Sequence, residues 1–95
     1  NLKSVPSNID NFKALWGLFF QSKINHLKDI KKFSNRKYQT LTYFGFDPDK
    51  IIKSISSHNI NGVDRVVPFG HSLDIDMIWD GMDLNSMLTR IISKC

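Results

Sequence analysis

GVDRVVPFGHSLDIDMIWDG, running from Gly62 to Gly81, is the stretch that decides how the chain is read. Val63, Val66 and Val67 predict a strand buried on both faces, and Pro68-Phe69-Gly70 stops it. The segment that follows is dotted with acids and ends in Trp79-Asp80-Gly81, a large amphipathic ring beside a tight turn, a combination that walls ligand sites and makes Trp79, Asp80 and Gly81 candidates for binding substrate. Loops at the C-terminal ends of buried parallel strands are where open sheets flanked by helices bind ligands, so residues 70–81 are the first place to look for function.

Working outward, Lys37–Phe46 (KYQTLTYFGF) is rich in threonine and aromatic residues and predicts a strand. Its alternation puts Tyr38, Thr40, Thr42 and Phe44 on one face and Gln39, Leu41 and Tyr43 on the other. Asp47-Pro48 predicts a helix start, an N-cap followed by proline at the first helical position. Ile51, Ile52 and Ile55 form the stripe to be buried, and Asn59 with Asn61-Gly62 ends the helix. Strand, helix and strand over residues 37–69 imply a parallel pair with a right-handed crossover. Two strands alone leave edges that want a partner, which points to a homo-oligomer or to further strands.

Upstream, Ile9, Phe12, Leu15, Trp16, Phe19 and Phe20 recur at helical spacing, and Ile24, Leu27 and Ile30 extend the stripe. Ser7 and Asp10 have capping-box spacing. The pattern predicts a long N-terminal helix of about 25 residues, bent near Gly17 and ended by Ser34-Asn35. Downstream, Asp83 is placed to cap a final helix carrying Leu84, Leu88, Ile91 and Ile92. The expected fold class is therefore α/β: a long N-terminal helix, a strand-helix-strand parallel unit and a C-terminal helix. Ninety-five residues suffice for one small domain, with residues 1–35 a helical segment and 36–95 the rest.

Composition narrows the function classes. The chain is 41% hydrophobic, which argues against disorder, and no apolar run approaches the roughly 20 residues of a membrane-spanning helix. Cys95 is the single cysteine, which allows no internal disulfide and suggests a cytoplasmic protein. At the tail beside Ser93-Lys94 it reads as a bystander, not a nucleophile. His26, His58 and His71 are too dispersed for zinc. Asp74 and Asp76 point the same way on an extended segment but are too few to hold a hard cation. No GxGxxG fingerprint occurs. The net charge of +4 is uneven: Lys23, Lys28, Lys31, Lys32, Arg36 and Lys37 crowd together, and Asp74, Asp76, Asp80 and Asp83 crowd the other end. The basic cluster either binds phosphate, nucleic acid or coenzyme A, or offsets the dipole at the end of the long helix. Nucleic acid is not the expected partner. His71, just past the strand end beside Gly70, is the leading polar candidate, and Trp79 is either a lid or a core residue. Starting at Asn1 without a methionine or a signal-peptide pattern, the chain is expected to be a piece of something larger.

RKYQTLTYFGFD, a helix, and then GVDRVVPFGHSLDIDMIWDGMDL together resemble the C-terminal end of bacterial long-chain fatty acyl-CoA reductases. These enzymes supply aldehyde in bioluminescence and are similar to the aldehyde dehydrogenase superfamily. The resemblance covers roughly residues 36–92. It implies NADPH-dependent reduction of a fatty acyl-CoA or acyl-protein to the aldehyde through an enzyme thioester. It carries Arg65, Gly70, Trp79, Asp80 and Gly81 over as motif positions and puts residues 70–81 near a substrate entrance. The family's nucleophilic cysteine and cofactor domain lie upstream of such a segment, in the remainder of the enzyme. The resemblance therefore implies that this chain is inert alone. The rival expectation is a small basic binding module working through Lys23–Lys37.

Overall fold

A computed structural model describes residues 1–94. The reading of Cys95 as a bystander lies outside the described residues. The elements in order are a 3₁₀ turn at Ile9–Phe12, a second at Leu27–Lys32, β1 (Thr40–Tyr43), α1 (Pro48–Ser57), β2 (Arg65–Pro68), β3 (Ile78–Trp79), β4 (Met82–Asp83) and α2 (Leu84–Leu88).

β1 and β2 pair in parallel, Thr40 opposite Arg65 through Tyr43 opposite Pro68, with α1 as the crossover. Asp47 caps α1 by accepting the Asp49 N–H at 3.0 Å, and Pro48 opens the first turn. Of its stripe, Ile51 is buried and Ile55 half-buried, whereas Ile52 is exposed. The small core is Ile30, Ile51, Ile60 and Val63.

The long N-terminal helix expected from the sequence is absent. Only the two 3₁₀ turns form, and residues 13–24 carry no regular structure beyond a turn. At that turn Trp16 and Gly17 have φ of 59° and 77°, and the Leu18 N–H reaches the Leu15 carbonyl at 3.3 Å. The physical reason is that an amphipathic helix draws its stability from packing its apolar face. The middle of the stripe is uncovered, with Trp16 99% and Phe19 83% exposed, while burial is confined to its ends, where Ile30 joins the core and Ile9, Phe12, Ile24 and Leu27 are half-buried. The first 3₁₀ turn is capped by Asn8, which accepts the Asp10 N–H, and not by Ser7. The C-terminal helix also stops early, at Leu88, and leaves Ile91 and Ile92 exposed for the same reason. β2 begins at Arg65, so the expected Val63 is not a strand residue. Val63 is buried with φ of 54°, a costly conformation for a β-branched side chain. Val66 and Val67 are half-buried, not enclosed on both faces.

The chain is spread out. Its accessible surface is 8374 Å², where a compact protein of 11.0 kDa exposes about 5,600 Å². Its radius of gyration is 16.5 Å against about 12 Å for a compact domain of this length. About 2,800 Å² of surface is thus left over. No helix among the described residues is long and apolar enough to cross a membrane.

Candidate functional site

The candidate site is the loop between β2 and β3 together with the β3–β4 hairpin. Gly70 occupies the turn leaving β2, where the His71 N–H donates to the Pro68 carbonyl at 3.0 Å. Asp80 and Gly81 are the two central residues of the hairpin, with φ of 51° and 76° and Trp79 paired to Met82. Two successive left-handed residues form the type I′ turn that matches strand twist, and Asp-Gly is a favoured pair for it. The Trp-Asp-Gly stretch therefore makes a hairpin, and the Asp80 and Gly81 positions are explained by backbone geometry. Gly81 also lies close to Asp64: a Cβ there would be 3.2 Å from the Asp64 carboxyl.

Arg65 holds this assembly together. One guanidinium nitrogen donates to the Ser72 carbonyl at 2.6 Å, and the other reaches the His71 carbonyl at 3.4 Å and the Asp74 carbonyl. The same guanidinium lies over the Trp79 ring, 4.8 Å from its centroid. The planar fork of arginine suits this combination of carbonyl bonding and stacking, which a lysine cannot reproduce. With these contacts made, Arg65 clips the loop to β2 and β3. It is a positioning residue, not an anion receptor.

His71 and Asp74 pair directly, Nδ1 to Oδ2 at 2.7 Å, and both side chains are exposed. The carboxylate fixes Nδ1 as the protonated nitrogen and leaves Nε2 free to accept or carry a proton. Beside them is a concavity of about 410 Å³, lined by Asp64, Arg65, Val66, Pro68, His71, Asp74, Asp76 and Ile78 among others. Three carboxylates around an arginine already engaged make it a poor receptor for phosphate, and its Val66, Pro68 and Ile78 surface suits apolar matter better. Trp79 is half-buried beneath Arg65, at the edge of this arrangement. The structure thus brings together Arg65, His71 and Trp79, with Gly70, Asp80 and Gly81 shaping the chain around them. Asp74 and Asp76 do not converge on a cation: Asp74 engages His71, and Asp76 accepts the Met77 N–H at 2.6 Å. Among the described residues no group of three or more metal-ligating side chains forms.

A nicotinamide dinucleotide does not fit the strand-to-helix turn after β1. The Asp47 carboxylate already caps the α1 N-terminus, where a pyrophosphate would sit, and Pro48 offers no N–H.

Sequence reading missed the tie between Asp10 and β1. Asp10 accepts from the Tyr38 hydroxyl and pairs with Lys37 at 3.1 Å. The Tyr38 hydrogen bond, then Lys37, lowers the Asp10 pKa, and the same bond raises that of Tyr38. No local signal announces a contact between residues 28 apart in the chain. In the basic cluster, Lys28, Lys31 and Lys32 border a concavity of about 610 Å³ shared with Ser57, His58 and Asn59 at the end of α1. Lys32 also pairs with Asp29 at 3.3 Å. The long helix expected to end in these lysines is absent, but Lys31 and Lys32 do lie in the last turn of the short 3₁₀ helix Leu27–Lys32.

No protein-family model, curated protein or solved structure matches the chain.

Proposed function

We propose that this chain is the C-terminal, wall-forming part of an NADPH-dependent fatty acyl-CoA reductase that makes fatty aldehyde through a thioester on a cysteine elsewhere in the enzyme. The observation that carries this reading is the surplus surface. A chain of 11.0 kDa that exposes 8374 Å², much of it large apolar side chains, is built to be covered by more protein. The resemblance of residues 36–92 to the acyl-CoA reductases supports taking that larger protein to be such an enzyme. Support also comes from the Arg65-clipped loop, which rims an open concavity at the C-terminal end of a parallel strand pair. In this reading the apolar lining borders the acyl group, Trp79 backs it from beneath Arg65, and His71 stands at the entrance. NADPH and the reacting cysteine belong to the remainder of the enzyme, in the cytoplasm.

The test compares the 95-residue chain with the polypeptide extended upstream in its gene, each given a long-chain acyl-CoA and NADPH. The expected result is NADPH oxidation and aldehyde from the longer polypeptide alone. Turnover by the short chain, or none by the long one, overturns the proposal.

A second reading keeps one observation in its favour. Lys28, Lys31 and Lys32 border a shared concavity with Asn59, as a module for an acidic partner requires. Steeply salt-dependent binding to an anionic polymer supports that reading, and salt-insensitive or absent binding removes it.

A further inference from the structure

We infer that the outer edge of β1 is an interface strand that pairs antiparallel with β1 of a second copy of this chain. The backbone pattern identifies the open edge. The Arg65 and Phe69 N–H groups donate to the carbonyls of Gln39 and Tyr43, so Gln39, Leu41 and Tyr43 turn their peptide groups toward β2. Thr40, Thr42 and Phe44 then turn theirs away, and β1 has β2 as its one strand neighbour among the described residues. Parallel pairs of only two strands are not stable alone, so this edge calls for another strand.

The edge also lacks the devices that keep such edges solitary. Gln39–Phe46 contains no charge and no proline, and Phe44 stands 88% exposed beside it. The opposite edge, on β2, is blunted by Pro68 and by the Arg65-clipped loop. One open edge and one closed edge allow a pair of copies but not a continuing fibre.

Charge favours the antiparallel choice: Arg36 and Lys37, the latter already paired with Asp10, precede β1, and Asp49, together with Asp47, which caps α1, follows it. With Thr42 on a two-fold axis, the peptide groups of Thr42 face one another and Phe44 lies opposite Thr40 of the mate. The basic end of each strand then meets the acidic end of the other; a parallel arrangement sets like against like. The surplus surface of about 2,800 Å² is several times the roughly 800 Å² that each partner buries in a standard interface. It leaves room for a second copy as well as for the rest of a larger enzyme. The pairing does not depend on the reductase reading, because it uses only β1 and its flanks.

Sedimentation velocity of the purified protein over a concentration series, with amide exchange read at residues 40–44, tests the pairing. The wild type is expected to dimerise, with the Thr42 amide protected in the dimer. Phe44→Asp, an exposed side chain whose loss spares the core, is expected to raise the dimer dissociation constant about tenfold or more. Arg36→Glu and Asp49→Lys are each expected to weaken the dimer, and the double exchange to restore it. Far-UV circular dichroism checks that each variant stays folded. A monomer at all concentrations, a dimer indifferent to Phe44→Asp, or a Thr42 amide protected in the monomer overturns the inference, as does open-ended assembly.

Discussion

Gly62→Ala is the sharpest single test of how the strand-helix-strand unit closes. Gly62 sits at φ of 79°, and a Cβ there overlaps the Asn35 carbonyl oxygen and comes within 2.8 Å of the Tyr38 carbonyl oxygen. Those carbonyls cannot swing aside freely. The Tyr38 oxygen accepts the Val63 N–H at 2.7 Å, and the Asn35 oxygen accepts the Tyr38 N–H at 3.0 Å. Next door, the Ser34 hydroxyl donates to the Asn61 carbonyl at 2.8 Å. The left-handed conformation costs an alanine about 1–2 kcal/mol, and forcing a methyl into a filled space about 1–3 kcal/mol more. The sum, about 2–5 kcal/mol, is a large part of the stability of a domain this small. Gly45→Ala is the control: its φ is 70°, but nothing lies within 4 Å of the added carbon. Urea unfolding followed by far-UV circular dichroism should show the Gly62 variant losing about 1 M or more in midpoint. The Gly45 variant should lose no more than the conformational part. Equal losses at the two positions refute the close approach.

The remaining predictions use the same logic. Ile51→Ala empties the most buried site, at 3% exposure, and should cost about 2–5 kcal/mol in the same unfolding assay, with Ile52→Ala costing far less. Arg65→Lys keeps the charge but loses the fork. Amide exchange across residues 71–76 should quicken and the near-ultraviolet signal of Trp79 weaken, with about 0.5–1 kcal/mol of stability lost from the stacking alone. Asp83 caps α2 by accepting from the Ser86 hydroxyl and N–H and from the Asn85 N–H, bonds that lower its pKa below the ordinary 3.8. A carboxylate depressed on folding stabilises above its unfolded pKa and loses that contribution as pH falls through the folded value. Relative to unstructured peptide, the amides of residues 84–88 should therefore lose protection as pH falls from 3.8 toward the lowered folded value, and Asp83→Ala should remove that loss. Asp10, lowered by Tyr38 and Lys37, follows the same sign, so its tie to β1 should loosen in the same acid range.

Where local chemistry fixes the backbone, the sequence was legible. Asp47-Pro48 starts α1, the valines 66 and 67 lie in β2 beside the Thr-rich β1, and Asp83 caps α2. Where a helix depends on what covers it, the sequence misled. The stripe from Ile9 to Ile30 has helical spacing, but spacing records which face wants burial and not whether this chain can bury it. Left uncovered, Trp16-Gly17 takes a turn instead. In the candidate site, Arg65, Gly70 and Trp79 were recognisable as members of a patterned stretch, yet the clip itself was not. A guanidinium reaching the carbonyls of His71, Ser72 and Asp74 leaves no mark on residue types, because any residue supplies a carbonyl. Asp80-Gly81 carried a hairpin signal that its reading as a ligand wall obscured.

Hydroxyl-radical footprinting of the native protein tests most directly whether this chain is completed by other protein. Trp16, Phe19 and Ile91 are 99%, 83% and 95% exposed on the chain taken by itself. Protection of all three in the native protein, with full labelling after denaturation, is the predicted result. Labelling of the native protein at the denatured level would mean that the apolar arm and tail stand bare, and would contradict the account.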